Sequence, residues 1–325
     1  MLANKPKGGA IGVIGGSGFI GRLAVEKLVD RGEEVVVMSR RPGVFPAELQ
    51  DKIKLAPVDV RLFSDVIRVI HDFGIDRLIH VAYTLTAEGE RFPLSAIQIN
   101  VLGTCNTFEA ARISGVKRVV YSSSIAAYGP QDCYGDRLVT EDEILMKPAS
   151  IYGATKVLTE FLASSFETKF GTEIPVIRIG AVFGAGREER GVTAWTSQLV
   201  SSAVRGKSAL INIRPNQLAT FIYVEDAAEQ LVRICLAEKL NYRLYNSGGC
   251  TSTPSEFAKI AKKYFPSADI KFNEDAPPWP YPYKLDGTRI AKELNWEIRD
   301  PEAGLISQIN KELLSLGQRP IERKG

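Results

Sequence analysis

Gly15-Gly16-Ser17-Gly18-Phe19-Ile20-Gly21 follows directly on an apolar, β-favouring run at 10–14 and opens a stretch of helical periodicity at 18–30. No other feature constrains the chain as much. Glycines in this order let the backbone turn tightly, approach a pyrophosphate and pack helix closely on strand. The helix N-terminus then offers unpaired N–H groups and its positive dipole end to the phosphates. Contacts would come from Gly15, Ser17 and Gly18 and from Phe19 and Ile20 in the first helical turn. Both Gly16-x-Gly18-x-x-Gly21 and Gly15-x-x-Gly18-x-x-Gly21 are satisfied, so the turn points to a dinucleotide without separating the classes of protein that bind one.

The rhythm continues. Strands at 34–39, 54–58, 77–81, 118–122 and 175–179 alternate with helices at 61–73, 93–114 and 150–170. Alternation of this kind gives a parallel sheet covered on both faces, and right-handed crossovers close it most simply as a Rossmann-type doubly wound α/β fold. After Gly180 the pattern loosens, with strands at 220–224 and 243–246 and a helix at 225–236. Thr253-Pro254-Ser255-Glu256 and Asp300-Pro301 mark two late helix starts, and the proline-rich 277–283 is an extended loop. We therefore expect a dinucleotide-binding domain over 1–179 plus about 215–240. A smaller C-terminal substrate-binding lobe would take 180–214 and 241–325.

With 45% hydrophobic and 24% charged residues among 325, the chain can bury a full core without disulfides or a structural metal. Its four cysteines are dispersed and its histidines are only His71 and His80, which excludes the usual zinc constellations, so no metal is expected. A net charge of +3 with interspersed signs carries no nucleic-acid footprint. No apolar run reaches membrane-spanning length, and the N-terminal lysines precede no signal-peptide core, so the expected compartment is the cytoplasm.

At the end of the second strand a carboxylate usually holds the adenosine ribose of NAD. Here Ser39 takes that place and Arg40 and Arg41 follow, a pair suited to a phosphate dianion, so NADP(H) is favoured and NAD(H) remains possible. Asp59, followed by Val60, is placed to meet the adenine edge or to cap the next helix. Tyr152 and Lys156 lie one helical turn apart on one face. A neighbouring cation favours phenolate and brings a tyrosine toward the range where it transfers protons near neutrality.

Six ordered motifs now carry a resemblance. The glycine turn and Asp59 are followed by His80-Val81-Ala82, Asn100-Val101-Leu102-Gly103-Thr104, Ser122-Ser123-Ser124 with Tyr152-x-x-x-Lys156, and the pair Arg178-x-x-x-Val182-Phe183-Gly184 and Phe221-Ile222-Tyr223-Val224-Glu225-Asp226. Over most of its length the chain resembles the extended short-chain dehydrogenase/reductase family, which is NAD-dependent epimerase/dehydratase-like. The resemblance implies Tyr152 as general acid–base, Lys156 as its partner and holder of the nicotinamide ribose, and Ser124 polarising the substrate oxygen with Ser123 assisting. It further implies cofactor contacts from Val81, Ala82, Asn100, Ser122, Ile179 and Val182, with Asn100 also shaping the helix near Lys156, a structural His80, and a homodimer built on helices 93–114 and 150–170.

Two departures bear on the substrate. Family members that take nucleotide-diphosphate sugars hold the diphosphate with an asparagine where this chain has Ala181. They also use an arginine just before the Phe-Ile-Tyr-Val signature, where it has Ala219 and Thr220. An unpaired diphosphate is costly to bury. Arg187, Arg190, Arg214 or Arg289 could substitute. The expectation is an NADP(H)-dependent oxidoreductase of a small hydroxy or carbonyl compound, with a nucleotide-sugar epimerase or dehydratase as the alternative. A non-catalytic dinucleotide sensor is a third reading, against which the intact Ser124, Tyr152 and Lys156 count. Tyr83, Phe183, Trp195, Tyr223 and the 279–283 segment could line a pocket or pack a core.

Overall fold

The computed structural model describes residues 9–41, 43–144, 146–187 and 191–324. The chain forms two compact units: one takes the residues up to Ala127 with Pro148–Arg178 and Ala228–Tyr245, the other Tyr128–Lys147, Ile179–Ala227 and the residues from Asn246.

Seven strands build the sheet of the first unit: β1 (Ala10–Ile14), β2 (Val35–Ser39), β3 (Ile53–Pro57), β4 (Ile75–His80), β5 (Arg118–Ser124), β6 (Val176–Ile179) and β7 (Leu244–Asn246). Their order is β7-β6-β5-β4-β1-β2-β3, with the parallel register Ile11↔Val35 and Val13↔Ile79 at the centre. The order reverses at β1, where such sheets open a crevice at their carboxyl ends. β1 is buried at every position, as a strand covered on both faces must be. The principal covering helices are α1 (Phe19–Asp30), α2 (Phe63–Asp72), α3 (Gly103–Ile113) and α4 (Ile151–Phe170). The Rossmann-type expectation holds.

One difference matters for the site. The stretch expected as a single helix over 93–114 starts as a short turn, widens into a π-helix over Ile97–Leu102, and tightens again into α3. Asn100 is the buried residue of the wide turn. Such bulges frequently mark functional positions because they re-aim one side chain without ending the helix.

In the second unit Ala181–Phe183 pairs parallel with Ala219–Tyr223, which pairs antiparallel with Cys250–Ser252. Phe183, Trp195, Phe221 and Phe257 pack with ring centroids 4.9 to 6.4 Å apart. Phe183, Trp195 and Tyr223 are thus core residues of this unit. Both late helix starts form as read: Thr253 closes a capping box with Glu256, and Asp300 accepts from the Ala303 N–H. No helix among the described residues is long and apolar enough to cross a membrane.

Candidate active site

The glycine turn is shaped by close approach. Gly15 has φ of +85°, and a methyl group built on it would stand 2.8 Å from the backbone nitrogen of Ala82. On Gly21 it would stand 2.2 Å from the carbonyl oxygen of Gly15. Side chains at either position would force the turn off β4 or α1 off the turn. Gly18 caps α1 with extended backbone and no side-chain bond, so the N-terminus of the helix is left to backbone donors.

Below it lies a cleft of about 600 Å³ within the first unit. Ten of the residues expected to touch a dinucleotide line it: Gly15, Ser17, Gly18, Ser39, Arg40, Arg41, Asp59, Val60, Val81 and Ala82. Phe19 and Ile20 follow in the first turn of α1. Ile179 ends β6, Val182 lies in the strand Ala181–Phe183, and both are buried. The Ser39 hydroxyl accepts from the Ser17 N–H at 3.3 Å, and the Ser17 hydroxyl donates to the Arg41 carbonyl at 3.0 Å, tying the turn to the end of β2. Arg61, absent from the sequence reading, puts its guanidinium on the Asp59 carboxylate with Nε 2.9 and 3.1 Å from the two oxygens. That hydrogen bonding holds the Asp59 carboxyl below the usual range.

The residues expected to transfer the proton lie against the end of β5. Ser150 caps α4 by accepting from the Gly153 N–H at 3.1 Å, which places Tyr152 in the first helical turn. Gly153 is what lets this turn sit down: a methyl group there would come 2.3 Å from the carbonyl oxygen of Ala126, in the tight turn after β5. Lys156, almost fully buried, donates to the Ser122 carbonyl at 2.7 Å and the Tyr121 hydroxyl at 3.1 Å. Its ammonium lies 5.5 Å from the centre of the Tyr152 ring. Burial pulls the Lys156 amine down to about 7 against the opposing charge of Glu160. Ser124 is the half-buried last residue of β5, its hydroxyl accepting from the Ala126 N–H at 3.2 Å.

Asn100 spends its side chain on protein groups: it accepts from Thr84 N–H at 2.7 Å and donates to Thr84 C=O at 3.1 Å and to the Thr155 hydroxyl at 3.3 Å. It staples the loop after β4 to α4. The Ser123 hydroxyl donates to Glu160, which also receives the Arg178 guanidinium through Nε at 3.0 and 3.1 Å. His80 is fully buried beside Thr104 and Tyr121, and desolvation brings it down to about 3, so the ring is neutral. Among the arginines offered for a diphosphate, Arg289 donates to Asp142 and Arg214 to the Ala276 carbonyl. Arg187 lines a cleft of the second unit with Trp195 and Asn212, and Arg190 lies outside the described residues. Gly153 and the Glu160–Arg178 pair were not singled out from sequence, although glutamate four residues after Lys156 was there to be read.

The family model described as "NAD dependent epimerase/dehydratase family" matches residues 11–248. The chain belongs to this family. It is an NAD(P)-dependent enzyme of oxidoreductase type. The mitochondrial L-threonine 3-dehydrogenase of Bos taurus is 25% identical over 248 residues, 74% of this chain but only 65% of that protein's length. Among solved structures, the UDP-glucose 4-epimerase of Thermus thermophilus in complex with NAD superposes with a TM-score of 0.82 at 22% identity, covering 93% of this chain and 98% of the other. MoeE5 in complex with UDP-glucuronic acid and NAD gives 0.80 at 25% identity, covering 94% and 100%.

Both family structures hold NAD, which overturns the expectation of NADP(H). The geometry supplies a reason. Arg40 and Arg41 are exposed at the rim of the cleft. They are solvated charges rather than a fork held ready for a phosphate.

Proposed function

We propose that this protein binds NAD in the cleft of its first unit and acts on a nucleoside-diphosphate sugar, with Tyr152 exchanging a proton with a substrate hydroxyl. The observation that carries the chemistry is the buried Lys156 ammonium, held by the Ser122 carbonyl and the Tyr121 hydroxyl beside the Tyr152 ring.

The residues fit the cofactor. Gly15, Ser17 and Gly18 line the cleft at the N-terminus of α1, which Gly18 caps without a side-chain bond, so the backbone donors there can take a pyrophosphate. Ser39 offers a hydroxyl to the adenosine ribose, Asp59 and Val60 border the adenine, and Val81 and Ala82 supply apolar contact. NAD, when bound, supplies reversible hydride acceptance. Tyr152 as phenolate would take the proton of the substrate hydroxyl as that carbon is oxidised, and would return it in the reverse direction. Lys156 favours the phenolate electrostatically and directs its remaining N–H toward the nicotinamide ribose. Ser124 donates to the substrate oxygen as it becomes a carbonyl.

The sugar-nucleotide class is supported by the UDP-glucuronic acid that MoeE5 holds. A second reading, oxidation of a small hydroxy compound such as L-threonine, is favoured by the bovine dehydrogenase and by Ala181 and Ala219 in place of diphosphate-binding side chains. Calorimetric titration of UDP and dTDP into the NAD-loaded protein separates them. Micromolar binding of either supports the first; silence from both, with NADH formed on adding L-threonine, replaces it with the second. Tyr152→Phe should keep NADH binding and lose turnover. An unchanged rate removes Tyr152 from the mechanism.

A homodimer is part of the proposal. Ile97, Leu102, Leu158 and Phe161 are exposed on α4 and on the π-to-α helix, Phe161 by 68%. Sedimentation of wild type as a dimer and Phe161→Glu as a monomer is the expected outcome, and a monomeric wild type ends this reading.

A further inference from the structure

Tyr83 follows the His80-Val81-Ala82 motif and lines the cleft. Its ring centre lies 4.5 Å from the Lys156 ammonium, closer than the rings of Tyr121 at 4.7 Å and Tyr152 at 5.5 Å. It also packs against the Tyr152 ring, with centroids 5.8 Å apart and planes tilted by 51°. One side chain therefore touches both members of the proton-transfer pair. Its backbone is not left to drift. The next residue, Thr84, has both its N–H and its carbonyl bonded to Asn100, and Asn100 reaches on to Thr155 in α4. The π turn, the loop after β4 and the helix carrying Tyr152 and Lys156 are thereby locked together, and Tyr83 stands where they meet.

We propose that Tyr83 is a positioning residue that holds the Lys156 ammonium through its ring face and keeps it charged. A cation with water stripped away gains most from an aromatic face, because the quadrupole replaces part of the lost solvation. Lys156 needs that replacement, since its burial brings it down to about 7. Around it stand neutral His80 on β4, Tyr121 and the Ser122 carbonyl on β5, Tyr152 and Glu160 on α4, and Tyr83 on the loop. Glu160 raises the Lys156 value by its charge, but it is already engaged by Arg178 and Ser123. The inference rests on the reading above in which Lys156 holds the cofactor.

The test is NADH binding, followed by fluorescence from pH 5.5 to 10. Wild type should weaken above the midpoint at which Lys156 loses its proton. Tyr83→Leu keeps the apolar bulk and removes the π face; its midpoint should fall by about one unit, the size expected of a desolvated cation–π contact. Tyr83→Phe keeps the face and should hold the wild-type midpoint, and Tyr83→Met stands in where the leucine variant does not fold. A leucine or methionine variant that titrates like wild type overturns the proposal. Lys156→Met should bind weakly with no midpoint in this window. If it keeps the wild-type profile, the assignment of Lys156 to the cofactor falls, and the role of Tyr83 with it.

Discussion

Glu160 stands one helical turn past Lys156, and three elements depend on it. It binds the guanidinium of Arg178 from β6, takes the Ser123 hydroxyl from β5, and is the one anion acting to raise the Lys156 value. Arg178 has a side chain only 4% exposed, so it cannot turn to water if its partner is neutralised. Glu160→Gln keeps an acceptor but leaves a buried cation, and should cost about 3 kcal/mol in denaturant unfolding, the lower end for a broken buried pair. The same variant should move the midpoint of NADH binding downward, since the charge opposing desolvation of Lys156 is gone. An unfolding loss without that movement would make Glu160 purely structural. Ser123 shows how one residue's role depends on strand geometry: on a strand, Ser123 faces away from Ser122 and Ser124, and here it faces Glu160.

The first turn of α4 makes an argument at the scale of the element. Alanine is a better helix former than glycine by about 1 kcal/mol, so propensity alone says that Gly153→Ala should stabilise. Contact says the reverse, because the new methyl group would stand 2.3 Å from the Ala126 carbonyl oxygen, where neither backbone gives way easily. We expect a loss of about 1–3 kcal/mol from overpacking. Turnover should fall about a hundredfold as Tyr152 is displaced, read as kcat against unfolding midpoint. A more stable variant of full activity would refute the contact argument. Most of the first unit was legible because each strand is a short apolar run ended by a glycine or polar break and each helix carries its period. The π turn at Ile97–Leu102 was not, since widening a helix by one residue leaves composition and capping unchanged. The strand Ala181–Phe183 and the helix Ala194–Val204 were also missed: one is three residues long, the other amphipathic only weakly and flanked by no strong cap. The tyrosine, lysine and serine of the site stood in the sequence, but the cofactor did not. Arg40 and Arg41 are chemically right for a phosphate, and exposure, which sequence does not report, decides whether they form a socket.

For the whole molecule, two buried bases set how stability follows pH. Lys156 titrates at about 7 folded against 10.5 unfolded, so between those values the unfolded chain binds more protons and stability rises with pH. His80, at about 3 folded against 6.5 unfolded, has the same sign over its own lower window. Thiols raised by desolvation oppose the rise on the alkaline side, because buried Cys235 and half-buried Cys105 and Cys250 are all pushed up and hold their protons longer in the folded chain. Tyr121 and Tyr223, also raised by burial, oppose it further up. Lys156 is therefore best read between pH 7 and about 8.5, by comparison with Lys156→Met, in which the thiols and phenols cancel. The methionine variant avoids the cost of a buried charge, so its Tm should exceed that of wild type at pH 7. The gap should close steadily as pH rises and wild-type Lys156 is neutralised. Saturating NADH, if it binds the charged form, should protect wild type less at pH 8.5 than at pH 7. A gap that stays constant or widens with pH would mean that Lys156 keeps its charge through this range in the folded chain.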